Sequence, residues 1–239
     1  MTEIMRHRDA EALASVVADR FIDRVATVQG SGRVPHVGLT GGTIANDLYR
    51  AVAASQHRGD VEWTSVEFWW GDERFVARDS ADRNAVQARA AMLTDLGVRE
   101  SRIHEMPSAD EGPLDAGAQA YGDEVREFGG GSFDLLLLGL GPDGHIASLF
   151  PGYPQLSVDD AIAVGVEDSP KPPPERISLT YGALNRSRAV WFLVAGAGKA
   201  DAVARALAVG ASASDAPASG VKGEVETVWH VDEAAASAL

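Results

Sequence analysis

Several short runs of this chain are apolar on nearly every residue, and they are separated by helical stretches: "PHVGL", "VEFWW", "FDLLLLGL", "AVWFLVAG" and "ETVWHV". A strand that is apolar on both faces must be covered on both faces, which an antiparallel sheet open to water on one side cannot do. Strands of this kind alternating with helices specify an α/β protein, a three-layer sandwich whose mainly parallel, Rossmann-like sheet carries helices on both faces. Leu13, Val16, Val17, Phe21 and Val25 recur at helical spacing and predict a first helix over residues 10 to 28, ended by "GSGR". Further helices are expected from about Thr43, Asp82 and Gly198, with a short one after "ETVWHV". With 239 residues, no internal repeat and no long linker, the chain reads as a single domain over residues 1–239.

Composition narrows the function. The formal charge is −14, so a nucleic-acid partner is disfavoured for want of clustered cations, and an anionic ligand needs a few cations placed locally. Lysine occurs only at Lys171, Lys199 and Lys222. The absence of cysteine removes disulfides, thiolate nucleophiles and cysteine-ligated metals, and the longest apolar run, Leu135 to Leu138, is too short to cross a bilayer. The expected setting is the cytoplasm, with no membrane partner; the sequence leaves the oligomeric state open between a monomer and a weak dimer.

In an open parallel sheet, ligands sit outside the carboxyl ends of the strands, so the turns after strands are where chemistry is expected. Thr40-Gly41-Gly42-Thr43 runs from a strand into a helix, with glycines that let backbone N–H groups approach an oxyanion and Thr43 as a candidate cap. It lacks the Lys-Ser/Thr pair of a P-loop. Asp72-Glu73-Arg74 follows an aromatic strand and, judged alone, reads as a solvated charged turn held by its own salt bridges; in the functional alternative Arg74 offers a fork to phosphate or carboxylate, and since adjacent side chains diverge, only some of the three can face one ligand. Lys199 falls in the first turn of a helix, against the helix dipole, and needs compensation by an anionic ligand or a neighbouring carboxylate. "EDSPKPPPERIS", residues 167 to 178, reads as a surface connection; its functional alternative is a flap that brings Lys171 or Arg176 to an anion.

The stretch "FDLLLLGLGPDGHIASLFPG" matches Gly-x-Gly-x-x-Gly at Gly139, Gly141 and Gly144, with Asp159 and Asp160 about where a ribose-binding acid would fall. Phe150-Pro151-Gly152 cuts off the helix that a dinucleotide site requires, and the turn carries Asp143 and His145. A histidine beside a carboxylate suits a general base, since an ordinary imidazole titrates near pH 6.5. No H-x-x-x-H pair or paired-Asp loop implies a metal, and no G-x-S-x-G elbow surrounds Ser148.

Taken together, "GLGPDGHIASLFPG", "LTGGT", "GDERFV", "RISLTYGALNRSRAVWFLVAGAGKADAV" and "VWHVDEAAA" resemble the 6-phosphogluconolactonase family, in order from about Val37 to about Ala236. The resemblance implies hydrolysis of 6-phospho-D-glucono-1,5-lactone in the oxidative pentose phosphate pathway, without metal or organic cofactor. It carries the catalytic histidine onto His145, the active-site Asp and Arg onto Asp72 and Arg74, the Asp of the D-G-H run onto Asp143, and the phosphate-binding lysine onto Lys199. Gly41, Gly42 and Thr43 would meet the phosphate. One departure is Arg83-Asn84, where the family often has Ser-Asn; Arg83 then counts as an added cation. Either Asp143 or Asp72 would orient His145 or the attacking water. The related glucosamine-6-phosphate deaminases have a proton-transferring glutamate at the position of Phe150, which argues against that activity. A sugar-phosphate sensor would need a helix-turn-helix, whereas the first 30 or so residues are expected to hold one helix.

Overall fold

The computed structural model describes residues 2–239. Six parallel strands form the central sheet: β1 (Thr2–His7), β2 (His36–Leu39), β3 (Glu67–Trp70), β5 (Leu135–Leu138), β8 (Ala189–Val194) and β9 (Glu226–Asp232), in the spatial order β1-β9-β8-β5-β2-β3. Three more strands, β4 (Asp72–Arg74), β6 (Ala163–Val166) and β7 (Arg176–Leu179), pair antiparallel in a small second sheet ordered β4-β7-β6. The main helices are α1 (Ala10–Gly30), α2 (Thr43–Ala54), α3 (Asn84–Ala88), α4 (Leu114–Phe128), α5 (Tyr181–Leu184) and α6 (Ala200–Leu207).

The connections β1→β2 and β2→β3 advance across the sheet in one direction, whereas β3→β5, β5→β8 and β8→β9 run in the other. Because such crossovers are right-handed, α1 and α2 cover one face, where they pack on each other, and α4 and α6 cover the opposite face. The direction reverses between β2 and β5, so a crevice opens at the carboxyl ends of these neighbouring strands. The apolar runs account for the core: Phe68, Trp69, Trp70, Leu135 to Leu138 and Val190 to Val194 are all buried in one contiguous cluster.

Four features differ from the sequence expectation. The chain begins with β1, a strand absent from the reading of the first 30 residues; it is an edge strand whose residues are mostly exposed, so it lacks the apolar signature of its neighbours. The first helix buries Leu13, Val17, Phe21, Ile22 and Val25, but Val16 lies outside that stripe and is exposed. The stretch after β9 makes turns instead of a helix. Arg176, Ile177 and Ser178 are not surface connection: they lie in β7, between β4 and β6, and are buried. Among the described residues no helix is long and apolar enough to cross a membrane.

Candidate active site

The crevice between β2 and β5 holds a cleft of about 230 Å³. Thr40, Gly41 and Gly42 line it from the turn after β2, Gly139 to Gly141 from the turn after β5, and His145 from the loop that continues that turn. Asp72 and Arg74 enter from β4, Asn84 from α3, Arg176 from β7, Lys171 and Pro172 from the loop before β7, and Lys199 from the start of α6.

The Gly139–Gly144 turn is built around its side chains. Gly144 takes a positive φ of 94°, and the backbone N–H of Gly141 donates to the His145 carbonyl at 2.9 Å. The fold folds the histidine back over the turn, where a Cβ on Gly141 would overlap both the His145 ring and the Asp143 carboxylate. Asp143 Oδ1 lies 2.5 Å from His145 Nδ1. Burial opposes ionisation of Asp143, but the hydrogen bonds and charge of His145 outweigh it and hold the carboxyl down at about 2. An ionised carboxylate only accepts, so Nδ1 carries the proton and donates, leaving the lone pair on Nε2. Phe150 packs beneath the ring, with centroids 4.6 Å apart. No helix follows Gly144, and Asp160 lines a different surface depression, so the glycine pattern does not build a dinucleotide site.

The opposite wall is assembled from separate elements. Alternation along β4 turns Asp72 and Arg74 toward the cleft and sends Glu73 the other way. Glu73 is buried and receives the backbone N–H groups of Arg74 (2.8 Å), Asn84 (2.7 Å) and Ala85 (2.9 Å). Asp72 Oδ2 accepts from the Ser148 hydroxyl at 2.7 Å, so of the two candidate carboxylates Asp143, not Asp72, is bonded to His145. Asn84 Nδ2 donates to the Asp72 carbonyl at 2.9 Å, while its Oδ1 accepts from Arg74. The added cation expected at Arg83 does not reach the cleft: its guanidinium is buried beside Glu73 and Glu105 and donates to the Met106 carbonyl.

Four cations converge despite the acidic chain. Arg176 pairs in register with Arg74, and its guanidinium donates to the carbonyls of Lys171, Pro172 and Pro173. The 167–175 loop is thereby wrapped around Arg176, and Lys171 reaches the cleft. Lys199 Nζ donates to the Leu140 carbonyl at 2.5 Å. Burial first, and then the charge of Lys171, lower its pKa, with Asp143 pulling the other way. Lys199 also lines an adjoining depression with Gly41, Gly42 and Thr43. Thr43 opens onto this second space rather than onto the His145 cleft, and it is not the helix cap: Gly42, at φ 104°, takes the N-cap position of α2. Arg176, Lys171 and Asn84 thus line the cleft without standing among the expected site residues: Arg176 and Lys171 carried only the alternative reading of the Pro-rich stretch and Asn84 only the departure at Arg83-Asn84, while Ser148 supports the cleft through Asp72.

A histidine–carboxylate pair and a cluster of cations at the switch point of a parallel sheet define an α/β enzyme that handles a small anionic substrate. The model describing glucosamine-6-phosphate isomerases and 6-phosphogluconolactonase matches residues 8–229, and the chain belongs to that family. A curated 6-phosphogluconolactonase of Streptomyces coelicolor is 42% identical over 99% of this chain and 94% of its own length. One from Mycobacterium tuberculosis is 39% identical, covering 97% of this chain and 96% of its own. The solved 6-phosphogluconolactonase of Thermotoga maritima superposes with a TM-score of 0.85 at 26% identity, covering 97% of this chain and 100% of that one. A monomeric glucosamine-6-phosphate deaminase shares the fold, with a TM-score of 0.83 at 21% identity over 99% of this chain and all of that one.

Proposed function

We propose that this chain hydrolyses 6-phospho-D-glucono-1,5-lactone to 6-phospho-D-gluconate. Curated relatives at 37–42% identity over nearly the whole chain are 6-phosphogluconolactonases. The observation that carries the chemistry is the His145–Asp143 pair lining the same cleft as Arg74, Arg176, Lys171 and Lys199.

In this reading, His145 Nε2 takes a proton from water as the water oxygen bonds to the lactone carbonyl carbon. Arg74 faces the oxyanion that forms, a cation already in place when the charge develops. The tetrahedral intermediate collapses by breaking the ring C–O bond, and the imidazolium returns its proton to the departing ring oxygen, which becomes a hydroxyl. The new carboxylic acid loses its own proton to solvent. Asp143 keeps His145 in the tautomer that can accept and supports the transient imidazolium. Lys199 and the Gly41-Gly42 turn at the start of α2 hold the phosphate, where the two depressions meet, and Thr43 borders it from the outer side. A δ-lactone is reactive enough that no covalent intermediate, metal or cofactor is required. Phe150 under the His145 ring offers no proton, which sets this site apart from the deaminase chemistry.

The same reading makes residues 1–239 one catalytic domain acting in the cytoplasm, as a monomer or weak dimer, in the oxidative pentose phosphate pathway. The test is hydrolysis of freshly made lactone, corrected for spontaneous opening, by wild type and His145→Ala. We expect rapid turnover by wild type and a loss of about 10²–10⁴-fold in kcat for the variant with its fold intact. A wild-type rate equal to background sinks the assignment.

A further inference from the structure

Glu73 is turned from β4 into the protein, whereas Asn84 lines the cleft beside Arg74. Resting on the lactonase reading, we propose that they are positioning residues for Arg74: Glu73 locks the start of α3 onto β4, and Asn84, fixed by that lock, aims the guanidinium.

Glu73 is 1% exposed, and the oxygens of a carboxyl group in that setting must be met by donors. Its donors are the N–H of Arg74 on β4 and the first two N–H groups of α3, at Asn84 and Ala85. Free helix-end N–H groups need an acceptor, and the Glu73 oxygens supply it, so the α3 terminus has one strongly preferred seat, against the strand that carries Arg74. Arg83, with Nε 3.7 Å from Glu73 Oε2, adds a second attraction on the same side.

Asn84 inherits the precision of that seat. Its amide is engaged at both ends, Nδ2 donating to the Asp72 carbonyl and Oδ1 accepting from Arg74. A planar amide held at both ends cannot rotate, so the Arg74 guanidinium is held to one direction instead of sampling its rotamers. The turn after β2 is shaped to admit this pair. A Cβ on Gly41 would overlap Asn84 Oδ1, fall 2.5 Å from Asn84 Cγ and 3.0 Å from Arg74 Nη1. Gly41 has no positive φ, so space for the Asn84–Arg74 pair, rather than an unusual backbone, is what excludes a side chain there.

A double-mutant cycle tests the proposal: wild type, Glu73→Gln, Asn84→Ala, Arg74→Ala and the two doubles with Arg74→Ala. It is read in kcat/KM for the lactone and in the Kd of 6-phosphogluconate by calorimetry, with circular dichroism checking the fold. Positioning predicts that each single change lowers kcat/KM by about ten- to a hundredfold, the range a small misplacement costs. In the Arg74→Ala background the same changes should cost less than about twofold, because their route of action is already gone. Equal losses in both backgrounds would show a direct contact with substrate or a merely structural role and overturn the proposal. So would full activity in a folded Asn84→Ala, the variant that carries the test if Glu73→Gln does not fold. A wild type that turns over no lactone overturns the functional reading instead, and the two failures are distinguishable.

Discussion

The two walls of the cleft are built on opposite plans. On the His145 side, the histidine, its carboxylate partner and the glycine that makes room for them lie within five consecutive residues, and the key hydrogen bond spans a separation of two. On the Arg74 side, the guanidinium comes from β4, its amide partner from α3 ten residues on, and the glycine that makes room for them from the turn after β2. Each wall spends one glycine on the same purpose: Gly141 clears space for His145 and Asp143, as Gly41 does for Arg74 and Asn84. A local constellation is therefore as good as its turn, whereas a distributed one is as good as the packing of three elements.

Substitutions at the two glycines break this comparison most directly. Gly141→Ala forces the His145 ring and the Asp143 carboxylate apart, and a loss of about a hundredfold or more in kcat is expected, near that of removing the base. Gly41→Ala displaces the Asn84–Arg74 pair and should cost about ten- to a hundredfold in kcat/KM, the range expected for losing the Asn84 contact itself. Wild-type activity in Gly41→Ala would mean that the Arg74 wall tolerates misplacement and that the symmetry between the walls is only geometric.

The smallest effect sharpens the comparison through stability. Burial pushes the Glu73 carboxyl up from 4.5 to about 7, against the pull of Arg83 and the three backbone donors. The folded state therefore binds this proton more tightly than the unfolded chain. The contribution to stability is fully present below pH 4.5 and is lost as pH rises through 7. Urea unfolding of wild type and Glu73→Gln at pH 4.5 and pH 8 isolates it. The wild type should lose more stability than the variant over that interval, and parallel losses would show that Glu73 does not titrate there. On the other wall the sign reverses: Asp143 is held at about 2, so its contribution persists above its ordinary 3.8 and fades as pH falls toward 2.

Legibility followed the same division. The D-G-H turn could be read from its residues because everything that shapes it is adjacent in the chain. The apolar strands announced the parallel sheet because burial on both faces leaves one composition available. The edge strand β1 carries no such signature, and neither does β7, whose Arg176 is buried although it follows a Pro-rich charged stretch that reads as surface. Arg83 and Arg176 illustrate the limit most clearly: both are arginines in charged surroundings, yet one is turned into the protein against Glu73 and Glu105 and the other toward the cleft.

The class of fold, the turns expected to carry chemistry and the His145–Asp143 pairing as one of two possibilities follow from the order of residues alone. Those are consequences of composition and of contacts a few residues long. Only the tertiary structure decided that Asp72 serves Ser148 while Asp143 serves His145, that Glu73 turns inward to seat α3, and that Lys171 and Arg176 join the cations. Such choices depend on which distant elements the sheet brings side by side, and the energy that settles them, burial of charge against available partners, does not exist until the chain has folded.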